Sequence, residues 1–236
     1  MKKEETTLYI LHGWSVHRNN AGKWEKIRSH LTNVGIETEF LDLPGFSKPL
    51  EKEWSLDEYV NWLGESLPQK PVVLLGHSFG GQIATRFAAQ HPEHVEKLIL
   101  IASSGIVDRS FKAQAKRKIF YILAQIGKVF SFIPFARKFL YLLAGERDYY
   151  QAAPLLRKTM ANVLADEIIA DLPKIKAPTL LIWGENDTAT PLRNTAVFLK
   201  IKNSSLTTIP DARHSPQFTH PEKVVSAIQK FIEMDA

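Results

Sequence analysis

The 236-residue sequence predicts an α/β fold: a mostly parallel sheet of about six to seven strands, helices on both faces, and one inserted helical cap. Three observations predict it. Short β-rich apolar runs alternate with segments of helical period, as strands buried on both faces of a parallel sheet do. From Ile106 to about Leu172 this alternation stops, and a helical block rich in Phe, Tyr, Leu, Lys and Arg replaces it. One apolar run, Val72 to Leu75, passes through Gly76-His77-Ser78-Phe79-Gly80-Gly81 directly into a helix-forming segment that reaches Gln90.

Taken in order, the strands are expected at Leu8 to Leu11, Thr38 to Leu41, Val72 to Leu75, Leu98 to Ile101, Thr179 to Trp183 and Leu206 to Ile209. Between them, Trp24 to Asn33 has helical period and stops before Gly35, while Ser55 and Glu58 are spaced as a capping box for a helix that ends near Pro68. Thr190-Pro191 and His220-Pro221 each set a proline at a first helical turn, where its missing N–H costs nothing. Pro134 and Pro154 divide the inserted block into several helices. The domain reading is therefore a core of residues 1–105 and 173–236, with 106–172 as a helical cap over the C-terminal edge of the sheet.

Composition limits the chemistry. With 44% apolar and 23% charged residues, the chain can bury a sizeable core. It has no cysteine, so disulfides, thiol nucleophiles and thiolate metal sites are excluded. The apolar run near the N-terminus, Leu8 to Leu11, is too short for a signal-peptide core, and the cytoplasm is the expected location. The stretch Ile119 to Gly127 falls far short of the roughly 20 apolar residues of a membrane span. The net charge of +5 is concentrated between Ile106 and Ala170, which holds 11 Lys/Arg against 5 Asp/Glu.

The segment Gly76-x-Ser78-x-Gly80 between a buried strand and a helix has the form of a nucleophile elbow. Glycines are needed there because the backbone turns too sharply for neighbouring side chains, and the turn lifts the serine Oγ above the sheet. A hydroxyl is a poor nucleophile at neutral pH and requires a base, itself oriented by a third group. With this elbow the partners follow in the order Ser, Asp/Glu, His. The loop Gly184-Glu185-Asn186-Asp187 after a predicted strand offers the acid: Asp187 first, Glu185 in reserve. For the base, His91 and His94 flank a helix end near Pro92 and are expected to face solvent, and His220 reads as a helix cap. His214, between a strand and the last helix, is left. The backbone N–H groups of Trp14, after the strand end His12-Gly13, and of Phe79 would form the oxyanion hole, with His12 bracing the loop.

Together the His12-Gly13-Trp14 segment, Leu41-Asp42-Leu43-Pro44-Gly45-Phe46-Ser47, the elbow, the Asp187 loop and Asp211 to His214 resemble the α/β-hydrolase superfamily. Within it, the first hundred residues are similar to the carboxylesterases that cleave a methyl ester from a pimeloyl carrier-protein thioester. The shared features are His-Gly-Trp, Leu-Asp-Leu-Pro-Gly-Phe and the Ala102-Ser103-Ser104 strand end. Relatives with dehalogenase or epoxide hydrolase activity use Asp where this chain has Ser78. The resemblance implies a serine carboxylic-ester hydrolase that works through an acyl-enzyme on a small or medium apolar acyl ester or thioester, with no cofactor and no metal. The alternatives are a C–C bond hydrolase using the same three residues and a non-enzymatic ligand-binding protein on the same scaffold.

The inserted block pairs aromatic residues (Phe111, Phe120, Tyr121, Phe130) with the basic runs Lys116-Arg117-Lys118 and Arg137-Lys138. Its inner face is expected to line an apolar pocket. Its basic face either meets an acidic carrier protein or anionic membrane surface, or is simply solvated. No motif supports nucleic-acid binding.

Overall fold

A computed structural model of the chain describes residues 7–15, 20–106 and 152–234. Most of the inserted block, with its aromatic residues and basic runs, therefore lies outside the described residues.

Among the described residues the strands are β1 (Thr7–Leu11), β2 (Glu37–Leu41), β3 (Val72–His77), β4 (Val95–Ile101), β5 (Thr179–Gly184) and β6 (Ser204–Ile209). The longer helices are α1 (Asn20–Asn33), α2 (Leu56–Ser66), α3 (Phe79–Gln90), α4 (Pro154–Ala165) and α7 (Pro221–Glu233), with the short α5 (Thr195–Phe198) and α6 (Pro216–Thr219) between them. All six expected strands are present, each extended by one to three residues. They form one sheet in the order β2-β1-β3-β4-β5-β6, and every pairing is parallel.

This order places the site. The chain steps outward from β1 to β2, then crosses back over β1 to β3 and continues in the opposite direction. With right-handed crossovers, that reversal puts α1 on one face of the sheet and α2 and α3 on the other. Accordingly α1 packs with α7, and α2 packs with α3. The reversal falls between β1 and β3, and the crevice at the C-terminal ends of those strands is where ligands bind in open sheets of this kind. β3 is buried along its whole length, as a central strand covered on both sides must be.

Several local expectations hold in detail. Ser55 and Glu58 form the capping box at α2, with the Ser55 N–H donating to Glu58 Oε2 at 2.7 Å and the Glu58 N–H to Ser55 Oγ at 3.2 Å. Gly35, at φ +80°, turns the chain after α1. Pro154 occupies the first turn of α4. Two expectations need correction. Thr190-Pro191 does not open a helix at once: a 3₁₀ turn, Leu192–Asn194, precedes α5, and the Thr190 side chain turns inward. His220 does stand at the N-cap position of α7, yet its side chain makes no capping bond; Nδ1 lies 2.9 Å from Thr219 Oγ1 instead.

Candidate active site

β3 ends at His77, and α3 begins at Phe79, so Ser78 alone makes the turn between strand and helix. It does so at φ 51°, ψ −114°, outside the regions an L-residue readily adopts. Close packing enforces the strain. A Cβ on Gly76 would stand 2.6 Å from Gly80 O, and one on Gly80 would stand 2.5 Å from His12 O. Both glycines are thus required by backbone approach. The Ser78 N–H donates to Ile101 O at 3.0 Å, and the Ser78 carbonyl accepts from the N–H of Gln82 at 3.2 Å and of Ser104 at 3.1 Å.

Two loops from the far side of the sheet meet this turn. The Asn186 N–H donates to Ala212 O at 2.9 Å, joining the loop after β5 to the loop after β6. Asp211, at φ 62°, reverses the second loop so that His214 returns towards β3. As a result His214 Nε2 lies 2.9 Å from Ser78 Oγ, and His214 Nδ1 lies 2.9 Å from Asp187 Oδ2. Asp187 accepts only, so the imidazole proton sits on Nδ1 and the Nε2 lone pair faces the hydroxyl. Glu185, the reserve acid, is exposed and not in this chain of contacts.

Asp187 is buried and well satisfied. Oδ1 accepts from the N–H groups of Ala189 at 2.8 Å and Thr190 at 3.0 Å, and Oδ2 accepts from the Thr190 hydroxyl at 2.8 Å. Burial by itself would raise the carboxyl. The hydrogen bonds from His214 and Thr190 and the charge interaction with His214 outweigh burial, and the pKa lies below the ordinary carboxylate value. Asp187 is thus an anion in the fold.

The loop after β1 lies against the elbow on its other side. A Cβ on Gly13 would stand 2.6 Å from His77 Nδ1 and 3.2 Å from Ser78 Cβ, so the backbone entering Trp14 passes directly beside the serine. Phe79 is the first residue of α3, and its N–H has no acceptor within the helix. His12 braces the loop as expected: Nδ1 donates to Gly13 O at 2.7 Å, and Nε2 accepts the Leu43 N–H at 3.0 Å. The rings of Trp14, Phe46 and Phe79 pack edge to face, at 5.2 and 6.1 Å from Trp14 to the other two, and Tyr59 closes on Phe79 at 5.5 Å. They give this flank an aromatic wall. A cavity of about 900 Å³ lies farther out, between Leu43, Gly45, Leu50, Trp54 and Trp62.

Two residues at the site were not singled out for it by sequence reasoning. His77, buried against Trp24, sends Nε2 to His214 O at 3.1 Å and so holds the loop that carries His214. Thr190 steadies Asp187 and also comes within 3.3 Å of His214 Nδ1. Its spacing of three residues after Asp187, within reach of an Asp side chain that accepts the backbone N–H groups just ahead of it, is a local signal that could have marked it. His91 and His94 are far from this cluster in the turn between α3 and β4. Each is half-buried rather than free in solvent, with His91 packed on Phe87 at 4.8 Å.

Comparison with known proteins bears on the fold and the family. A model described as the alpha/beta hydrolase family matches residues 8–227. A pimeloyl-[acyl-carrier protein] methyl ester esterase of Nitrosospira multiformis is 29% identical, over 97% of this chain and 95% of its own. The corresponding Nitrosomonas europaea protein is 28% identical, over 93% of this chain and 92% of its own. Among solved structures, an alpha/beta hydrolase enzyme from a sediment metagenome of the Mar Chica lagoon, Morocco, superposes with a TM-score of 0.68 at 24% identity. That match covers 98% of this chain and 92% of the other.

Proposed function

We propose, from the premise that this chain belongs to the alpha/beta hydrolase family, that it is a serine carboxylesterase acting through an acyl-enzyme. The observation that carries this reading is the unbroken run from Ser78 Oγ through His214 to Asp187, with both contacts at 2.9 Å.

In this reading Ser78 Oγ attacks the ester carbonyl while His214 Nε2 takes its proton. Asp187 keeps the imidazole in the productive tautomer and stabilises the imidazolium. The N–H groups of Trp14 and Phe79 receive the negative charge that develops on the carbonyl oxygen. Each such donor contributes about 3 to 4 kcal/mol to transition-state stabilisation. His214 then returns the proton to the departing alcohol or thiol, leaving the acyl group on Ser78. Water attacks the acyl-serine, again giving its proton to His214, and the acid leaves as Ser78 Oγ recovers its hydrogen.

The substrate class we assign is a small or medium apolar acyl ester or thioester. The aromatic wall of Trp14, Phe46 and Phe79 beside the serine supports an apolar acyl group, and the methyl ester esterase activity for which the two bacterial relatives are named supports an ester. An acidic carrier protein at the basic face of the 106–172 segment, taken as a cap, belongs to the same proposal. Among the described residues no helix is long and apolar enough to cross a membrane.

The test is a chain-length series of p-nitrophenyl esters with the wild type and Ser78→Ala, alongside fluorophosphonate labelling. Ser78→Ala is expected to lose about 10⁴-fold or more in kcat and all labelling. Undiminished labelling of Ser78→Ala overturns the nucleophile assignment.

A further inference from the structure

Four residues after the serine, Gln82 is fully buried on α3, and both amide hydrogens and the amide oxygen have partners. Nε2 donates to Val163 O at 2.6 Å and to Asp166 O at 2.7 Å, two carbonyls at the C-terminal end of α4. Oε1 accepts the Ser104 hydroxyl at 3.0 Å. Ser104 in turn donates its N–H to the Ser78 carbonyl at 3.1 Å. Both amide hydrogens point to α4 and the amide oxygen points to the elbow, so the amide cannot be reversed without losing all three bonds.

One turn along the same face, Arg86 bonds Asp166 Oδ1 at 2.9 Å and also pairs with Asp171, which fixes the segment leaving α4. α4 itself stands over the loop that follows β2, and the segment leaving it meets the loop that follows β4. The Thr159 hydroxyl accepts the Trp54 N–H at 3.0 Å, and a Cβ on Gly45 would stand 2.7 Å from Leu156. Just beyond α4, the Ile168 N–H donates to Gly105 O at 3.1 Å. Those loops flank the strand ends where Ser78 sits.

We infer that Gln82 is a specificity-determining positioning residue: it registers α4, as a wall of the acyl site, against the strained elbow that carries Ser78. It touches neither the substrate nor the reacting atoms. Arg86 attaches the segment to α3 electrostatically, whereas Gln82 connects it to the backbone of the nucleophile itself. The inference rests on the carboxylesterase reading and extends it to how acyl length is read.

Replacing Gln82 with Leu removes the link while filling similar space. Val163 O still accepts the Asp166 N–H, and the Ser104 hydroxyl can turn to Ser78 O, 3.1 Å away, so two of the three freed groups keep a partner and Asp166 O alone loses one. The experiment compares wild type, Gln82→Leu and Ser104→Ala on p-nitrophenyl acetate through octanoate. Active sites are counted by fluorophosphonate titration, and thermal midpoints are measured in parallel. For Gln82→Leu, kcat/KM is expected to fall about tenfold on the preferred chain length and by no more than about twofold on acetate, which is too short to reach α4. Ser104→Ala is expected to flatten the same profile by a smaller factor, and it carries the test alone if Gln82→Leu does not fold. A uniform loss at every chain length, or a lowered midpoint with an unchanged profile, overturns the inference. Failure of the carboxylesterase reading shows separately, as wild type that turns over none of the esters or as labelling that persists in Ser78→Ala.

Discussion

His77 and His214 stand at the ends of two different strands with their rings 5.2 Å apart, yet their surroundings give them opposite characters. His77 closes β3, is 6% exposed, and has Trp24 and Phe218 as ring neighbours. Burial, reinforced by the adjacent His214, pushes its imidazole down to about 3, so it is neutral throughout the physiological range. His214 follows β6 and is partly open to solvent, with a buried carboxylate on one nitrogen and the serine hydroxyl on the other. One imidazole has been deprived of its acid–base chemistry and holds backbone; the other has been placed between a charge and a proton donor. What separates a structural histidine from the proposed catalytic one is the set of groups each nitrogen meets.

The largest effect that could break this contrast comes from deleting each ring in turn. On a reactive p-nitrophenyl ester, His214→Ala is expected to lower kcat by about 10⁴-fold or more, because the serine then has no proton acceptor. His77→Phe keeps an aromatic ring in the apolar site and loses only the hydrogen bond to His214 O, so a fall of about tenfold is expected. Steady-state kinetics on the two purified variants decides the matter. Comparable losses would mean that His77 takes part in the chemistry, and the division of roles would fail.

A smaller and independent effect concerns acid stability. Unfolded, His77 takes up a proton near its ordinary value of 6.5, whereas folded it does so only near 3. Between those values the unfolded chain binds the extra proton, so unfolding free energy falls as pH drops from about 6.5 towards about 3, by on the order of 1 kcal/mol per pH unit. The lowered carboxyl of Asp187 acts in the same direction, but only below the ordinary value of 3.8. The lowered carboxyls of Glu53 and Glu58 act likewise from around their ordinary value of 4.5 downward, so thermal midpoints measured from pH 6.5 down to 5.5 report chiefly the imidazole. The wild type is expected to lose midpoint steadily across that range and His77→Phe to lose markedly less. Parallel curves for the two proteins would show that His77 is not held neutral by the fold.

The same contrast explains what could be read from the sequence. The sheet was legible because strands buried on both faces appear as uninterrupted apolar runs, and the Ser78 turn because only glycine at 76 and 80 fits its backbone approach. Asp187 and His214 followed from chain order. Position alone was not enough where the decisive contact is tertiary. His77 looks like a neighbour of the serine until the loop after β6 folds over it. Thr190 is a local case: beside Pro191 it looks like a helix start, while its hydroxyl bonds Asp187 three residues earlier. The start of α1 at Asn20 was missed by four residues because Asn20-Ala21-Gly22-Lys23 shows no apolar stripe before Trp24. Gln82 gives no signal at all in one dimension, since its partners lie 22 residues away at Ser104 and 81 residues away at Val163.

Thr190 supplies the finest test of how the His214 side of the comparison is built. Its hydroxyl is one of several donors on Asp187, beside the Ala189 and Thr190 N–H groups and His214 itself. Thr190→Val keeps the β-branched shape and both backbone donors but removes that hydroxyl, and with it the contact at 3.3 Å to His214 Nδ1. Asp187 stays anionic through its remaining bonds, so the loss should be about three- to tenfold in kcat, matching a single buried hydrogen bond of about 1 kcal/mol. KM should move little, because the group acts through the carboxylate and not on the substrate. A fall as deep as that of His214→Ala would mean that the hydroxyl, and not the two backbone N–H groups, fixes the carboxylate. An unchanged kcat would place the whole of that task on the backbone.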